Sequence, residues 1–453
     1  MTARMIFLTV TFLGVIGILF LGSWLTARIF GTYRRKVYAG LIILQAVLIA
    51  GCAYYQIAQA KLFGTPTYAF WRLWTTETYG ILLGLAVNTA ILGIIALVSL
   101  VYKKLKKRQQ RKALAKQVAT SEMTGDSAIA GEADKTATAA EADKTATAAD
   151  AALAAQIASD QAEAETMYFK ASRRAFLKGS LLAVPALTAG AGAYRAYEGS
   201  KKLITTEQTL TFQSLPTYLK GYRIVQISDI HLGPFIDLND FDEIMKKVLE
   251  LKPNRLVITG DLIDQTDWLD PLCQRLEVAF KQIPDGIDYI PGNHEYFHNI
   301  VLILEAFSKI SMRVHRNSSL RLSNGSWPVY LAGVDYPFSR TEKQQEAYLK
   351  EALSEVPQEA FVILLAHHPD FIKTAFEHDI PVTMAGHTHG GQIVIGGEPV
   401  VPVGTKYWKG MYRDSWKYGY VNNGSGHWFP VRYNCPREIT LYTFVEGNPG
   451  GRV

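Results

Sequence analysis

Five short stretches in the second half of the chain hold residue types that bind metal ions. They read Ser228-Asp229-Ile230-His231, Gly260-Asp261-Leu262-Ile263-Asp264, Gly292-Asn293-His294-Glu295, His367-His368-Pro369-Asp370 and Gly386-His387-Thr388-His389-Gly390-Gly391. Carboxylate, imidazole and amide oxygen are donors for hard and borderline divalent cations. In an extended segment, residues two apart point to the same side. Asp229 and His231 would then form one donor pair, and His387 and His389 another. Gly386, Gly390 and Gly391 let the backbone turn tightly around an ion. A carboxylate has two oxygens and can bridge two ions, and Asp261 is the natural candidate. Each motif alone has an ordinary alternative. Gly-Asp and Gly-Asn-His are common turn chemistry, and His367-His368 could be a surface pair. Their occurrence together, in this order, argues for a metal centre.

The elements that must position these residues are legible beside them. Residues 222–227, 255–259, those around Tyr289 and Ile290, 361–365 and 382–384 are short, apolar, strand-like runs. Each ends where a polar stretch begins. Residues 241–251 and 342–353 read as helices. Strands alternating with helices indicate an α/β domain, and such folds place their sites just past strand ends.

The order D-x-H, G-D-x-x-D, G-N-H-E, a later histidine and G-H-x-H, between about residues 222 and 438, resembles the calcineurin-like metallophosphoesterase family. That resemblance implies a four-layer α/β sandwich, two β-sheets flanked by helices, with the metals at strand ends. It implies one divalent ion on Asp229, His231, Asp261 and His389, and a second on Asp261, Asn293, His367 and His387. The metals would be Mn, Fe, Zn or Co, sharing a hydroxide that attacks a phosphate ester. His294 would be the uncoordinated catalytic histidine, Glu295 would orient it, and Asp264 would orient a ligand. His368 departs from the family's single histidine; His367 is favoured because it follows the strand more directly. Residues 423–426, Arg432, residues 436–439 and the Gly-Gln pair at 391–392 resemble a bacterial, membrane-anchored branch. Arg432 offers a planar fork to phosphate, or is a structural surface arginine. Tyr407, Trp408, Tyr412, Trp416 and Tyr418 read as packing, with a pocket or lipid role as the alternative.

The first hundred residues are of another kind. Residues 6–25, 37–58 and 79–102 contain no charged side chain, and each is long enough to cross a bilayer as a helix. An all-α transmembrane region therefore precedes the α/β domain. The 453-residue chain has a formal net charge of +6. That excess lies in one cluster, Lys103, Lys104, Lys106, Lys107, Arg108, Arg111 and Lys112, beside the third span. It is not a nucleic-acid-binding face, and no nucleic acid is expected as a partner. By the positive-inside rule, this cluster and Arg28, Arg34, Arg35 and Lys36 are cytoplasmic. The loop with Trp71 and Trp74, and the N-terminus, then face outward.

Residues 109–171 are Ala-rich and contain the tandem repeat EADKTATAA at 132–140 and 141–149. They read as a flexible or partly helical linker. Ser172-Arg173-Arg174-Ala175-Phe176-Leu177-Lys178 and the apolar stretch after it resemble a twin-arginine export signal. A fourth membrane helix is the alternative, and either puts the following domain on the far side. The expected organisation is a membrane region at 1–108, a linker at 109–171, a signal or helix at 172–197 and a catalytic domain at 207–453. The chain is thus expected to be a multi-pass protein of the cell membrane. Its expected partners are a phosphate-ester substrate, lipid-linked or of the cell envelope, the membrane and the export machinery. Two rival readings stand beside this one: a UDP-diacylglucosamine-type pyrophosphatase acting on a lipid substrate, and a non-catalytic metal-binding membrane sensor. Cys52, Cys273 and Cys435 read as buried thiols, with a Cys273–Cys435 disulfide as the alternative.

Overall fold

The computed structural model of the chain describes residues 17–27, 34–62, 65, 67–123, 156, 159, 187–195, 197–199 and 201–448. The twin-arginine-like motif at 172–178, the tandem repeat and the start of the first apolar run lie outside the described residues. The described chain forms two compact units. One takes in Met1–Gln45 and Leu82–Gly190, the other Ala46–Ile81 and Ala191–Val453.

Uncharged runs of Leu, Ile, Val and Ala fold as helices because a helix satisfies its own backbone groups. Helix α1 is Gly17–Ala27, α2 is Arg34–Leu62 and α3 is Tyr68–Met123. Among the described residues, Arg35–Tyr55 is long and apolar enough to cross a membrane. Helix α3 carries the third uncharged run and continues to Met123, so the first residues of the Ala-rich segment are helical, as alanine favours. Residues 187–195 form α4.

The α/β domain contains two six-stranded sheets. The first has the order β1-β14-β2-β3-β4-β5: Leu203–Phe212, Arg437–Glu446, Arg223–Ile227, Arg255–Thr259, Ile287–Ile290 and Arg313–Val314. Strands β2 to β5 run parallel, and β14 is antiparallel to β2. The second has the order β12-β13-β9-β8-β7-β6: Gly410–Asp414, Lys417–Val421, Val382–Ala385, Phe361–Leu365, Val329–Gly333 and Ser318–Ser323. A small hairpin, β10 (Val394–Ile395) with β11 (Glu398–Pro399), stands apart.

Alternation along each strand builds the layers. Ile224 and Val257 of the first sheet meet Leu331, Ile363 and Met384 of the second in a core between the sheets. The neighbours Val225, Leu256 and Ile258 face the opposite way, onto α5 (Leu238–Glu250), α6 (Leu269–Phe280) and α8 (Ile300–Phe307). Val362 and Leu364 pack on α9 (Glu342–Ala352) and α10 (Phe371–Glu377). This is the helix–sheet–sheet–helix sandwich. Strands covered on both faces read as unbroken apolar runs, which is why they stand out in the sequence. Asp288 of β4 is fully buried, yet charge partners surround it: it pairs with Arg255, accepts from Arg313 Nε at 2.7 Å and lies 2.8 Å from His315 Nε2. The three cysteines are free and buried.

Candidate metal centre

The motif-bearing loops leave the adjacent ends of β2, β3, β4, β8 and β9, so five separated stretches meet at one edge of the sandwich. Asp229, His231 and His389 form one cluster, and Asp261, His367 and His387 form another, each with its donor atoms within 4.8 Å of one another. Asp261 Oδ2 stands between the two, 3.6 Å from His231 Nε2 and 3.2 Å from His367 Nε2. His231 Nε2 lies 3.0 Å from His389 Nε2, and His387 Nδ1 lies 3.2 Å from His367 Nε2. Asn293, at the start of the short helix α7 (Asn293–His298), is buried, and its Oδ1 has no hydrogen-bond partner. His368 stays outside both clusters. Its Nδ1 accepts from the Asp370 N–H at 3.2 Å, and burial, with Arg340 and His367 nearby, pushes its pKa down to about 3.

The donors do not converge by strand alternation. Asp229 (φ 50°), His231 (φ 52°), Asp261 (φ 50°), His387 (φ 75°) and His389 (φ 50°) all adopt left-handed backbone conformations. The expectation of an extended Asp-x-His therefore gives way to two left-handed turns that aim both side chains at one point. Such conformations cost about 1–3 kcal/mol each and persist only where surrounding structure imposes them. Here the imposition is visible. Asp229 accepts from Ser228 Oγ at 2.6 Å and from the His387 N–H at 3.0 Å. Asp261 Oδ1 accepts from the His294 N–H at 2.8 Å. Glu295 accepts from the backbone N–H groups of Asp261, Leu262 and Gly292 at 3.1, 2.6 and 2.7 Å. Its carboxylate thus laces two loops together and makes its contacts with backbone, where the sequence pointed to the His294 ring.

Hydrogen bonds also set which imidazole nitrogen faces the centre. His367 Nδ1 donates to the Thr259 carbonyl at 2.7 Å, leaving Nε2 with a lone pair toward Asp261. His231 Nδ1 lies 3.1 Å from Asp264, which turns its Nε2 toward Asp261 and His389. A carboxylate or carbonyl behind a ligating histidine fixes both tautomer and orientation. Asp264 also lies 2.9 Å from His294 Nδ1. Arg432, expected at the surface or on substrate, is 3% exposed. It donates to the Asn423 and Gly426 carbonyls and lies 3.1 Å from His389 Nδ1. It is a buried strut behind the centre.

The electrostatics are those of a cation trap. Burial opposes charge on Asp261, yet the imidazoles of His367, His294 and His231 hold its carboxyl well below the usual range. Asp229 goes the other way, raised by burial. Burial would lower His367, but Asp261 and Asp229 raise it to about 10. An imidazole so placed takes up a proton or a metal ion. Burial, with His367 and His368 nearby, keeps His387 neutral. Burial, with His231 and Arg432 nearby, does the same for His389. Neutral imidazole is the ligating form.

A family model described as calcineurin-like phosphoesterase matches residues 222–391. The chain is 32% identical over 295 residues to the uncharacterized metallophosphoesterase YkuE of Bacillus subtilis (strain 168), across 62% of this chain and 99% of that protein. The chain belongs to the calcineurin-like metallophosphoesterase family. It is also 29% identical over 260 residues to an uncharacterized metallophosphoesterase of Helicobacter pylori (strain ATCC 700392 / 26695), across 56% of this chain and 66% of that one. A transmembrane protein with metallophosphoesterase domain from Danio rerio is 29% identical over 269 residues, across 56% of this chain and 60% of that one. This metallophosphoesterase is a hydrolase of phosphoester bonds, and its family uses divalent metals. The residues present fit such ions. The donor set mixes nitrogen and oxygen, and the orphaned Asn293 Oδ1 is an acceptor awaiting a cation.

Two groups near the centre carry no motif. Fully buried His427 and half-buried Tyr79 both line the cavity that reaches His231 and His294. Local spacing could not have marked either one. Tyr407 and Tyr418 of the aromatic-rich segment are buried in apolar clusters, in line with packing.

Proposed function

We propose that the chain is a membrane-tethered phosphoesterase whose Asp261 bridges two divalent cations. Asp229, His231 and His389 would complete one site, and Asn293, His367 and His387 the other. The observation that carries this reading is the place of Asp261 Oδ2, within 3.6 Å of His231 Nε2 and 3.2 Å of His367 Nε2. When bound, the cations acidify a water molecule and offset phosphate charge during in-line displacement. The chain's own residues do the rest. Asp264 holds His294 by Nδ1 at 2.9 Å, leaving Nε2 to carry a proton to the departing oxygen. Burial would lower His294, but Asp261, Asp264 and Glu295 raise its pKa to about 9. These carboxylates favour the protonated ring, the form an acid must hold. Asp264 and Glu295 are positioning residues.

The proposed chain is multi-pass, with its catalytic domain outside the cytoplasm. Arg72, between the second and third apolar runs, pairs with Asp237 and Asp240 of the catalytic domain. That contact supports a reading with loop and domain on one side of the membrane, and the basic residues flanking those runs favour the outside. A reporter fused after Val453 and active only in the cytoplasm would reverse this topology. It would also favour the rival UDP-diacylglucosamine-type pyrophosphatase, whose substrate is made on the cytoplasmic side. A non-catalytic sensor is disfavoured by the full set of donors.

The test is metal analysis of the purified full chain together with turnover of bis(p-nitrophenyl) phosphate and p-nitrophenyl phosphate. The expected result is two ions per chain and hydrolysis of at least one ester. Asp261→Ala should lose both the ions and the turnover. Full turnover by that variant would sink the bridging role.

A further inference from the structure

A cavity of about 360 Å³ opens at the metal centre. Its inner end is polar, with His231, Asp264 and His294. Its outer wall is aromatic, and part of that wall comes from the membrane region. Tyr79 of α3 packs edge-to-face on Phe235, with ring centroids 5.4 Å apart, and on Phe429 at 5.5 Å. Trp428, tilted against Phe429 with ring centroids 5.9 Å apart, is 53% exposed at the rim.

The contact is held by charge as well as by rings. Arg72, two helical turns before Tyr79, pairs with Asp237 and Asp240 and donates through Nη2 to the Phe235 carbonyl at 3.2 Å. The loop from His231 to Asp237 is thus pinned at one end by the metal centre and at the other by Arg72. Tyr79 is also the first residue of the uncharged run 79–102, within the same continuous helix. Trp71 and Trp74 stand in the turns before it. Such aromatic residues mark the level where a helix enters the lipid. On the multi-pass reading proposed above, one wall of the site is the residue at which the chain would pass into hydrocarbon.

A second observation points to a polar ligand there. His427 is fully buried in the cavity wall, and neither ring nitrogen has a hydrogen-bond partner. A buried polar group without a partner is costly and marks a place where a ligand supplies one.

We infer that the substrate is a phosphoester carried by a membrane lipid. The phosphate reaches His231 and His294, an oxygen near it pairs with His427, and the hydrocarbon lies along Tyr79, Phe235, Phe429 and Trp428. This names the substrate class of the proposed phosphoesterase and rests on that reading.

The experiment titrates methyl-, butyl- and octylphosphonate, which cannot be hydrolysed as esters, into the metal-loaded full chain in nanodiscs. A fully buried methylene is worth about fourfold in affinity. With the chain only partly sheltered by the aromatic wall, octylphosphonate should bind at least about tenfold tighter than methylphosphonate. The octyl-to-methyl ratio should fall several-fold in Tyr79→Ala. Partition into the disc is the same for both proteins and cancels. Trp428→Ala, on the exposed rim, gives the same reading if Tyr79→Ala fails to fold by circular dichroism. Equal affinity across the series, an unchanged ratio in the variants, or binding of no phosphonate would overturn the inference. The same preparation is assayed with p-nitrophenyl phosphate and bis(p-nitrophenyl) phosphate. Absent turnover there would sink the phosphoesterase reading, while the chain-length series would still decide this one.

Discussion

In the proposed mechanism, His294 and Asp261 divide the chemistry between a group that moves a proton and a group that holds charge. The His294 ring touches Asp264 at 2.9 Å and groups with Asp264 and His231, but it lies outside the two clusters proposed to hold the ions. Its removal should therefore spare the metals. His294→Ala is expected to keep its metal content and lose about 10²–10⁴-fold in turnover. Metal analysis beside steady-state kinetics separates these effects, and unchanged turnover would remove the catalytic role. Asp264 works through others. One carboxylate lies beside both His231 and His294, so it links the orientation of a proposed ligand to that of the proposed acid.

At the scale of elements, the centre depends on loops that close turns no extended strand would make. Gly386 shows how tightly they are packed. A Cβ there would stand 2.0 Å from Ser228 Oγ and 2.4 Å from Asp229 Oδ2. Gly386→Ala should push Asp229 off its position and lower metal content, with the far-UV circular dichroism of the sandwich unchanged. Strand β4 makes a different demand. Burial would raise Asp288, yet Arg313, His315 and Arg255 hold its carboxyl well below the usual range. A depressed folded value contributes stability in full above the unfolded value of about 3.9, and loses it as pH falls toward the folded value. Asp288→Asn strands the buried Arg255 and should cost roughly 3–5 kcal/mol at pH 7. In urea denaturation the gap between native and variant chains should narrow as the pH falls below about 4.

Over the whole molecule, residues 46–81 of the membrane region share a compact unit with the catalytic domain. Arg72 is the charged fastening. Its side chain is 19% exposed, while those of Asp237 and Asp240 are 2% and 7%. Arg72→Ala would leave two buried carboxylates side by side, at a cost of about 3 kcal/mol. The expected result is faster limited proteolysis within residues 59–78 and a lower Tm for the full chain. An unchanged digestion pattern would show that the contact contributes nothing.

Much of this was readable in the chain itself. Strands β2, β3, β8 and β9 were expected within a residue of where they lie, because strands covered on both faces must be apolar throughout. Their polar endings announced the donor residues, since few side chains bind divalent cations and these recur in a fixed order. The sequence thus determined the fold class, the family and the identity of the candidate ligands. Folding in three dimensions decided the rest. Left-handed turns aim the donors, Glu295 laces backbones, and Arg432 retreats into the interior. Tyr79 reaches a cavity whose other walls lie more than 150 residues along the chain. Local periodicity reports which side of an element is apolar, but not which distant element will cover it, so these contacts could be seen only once the chain had closed on itself.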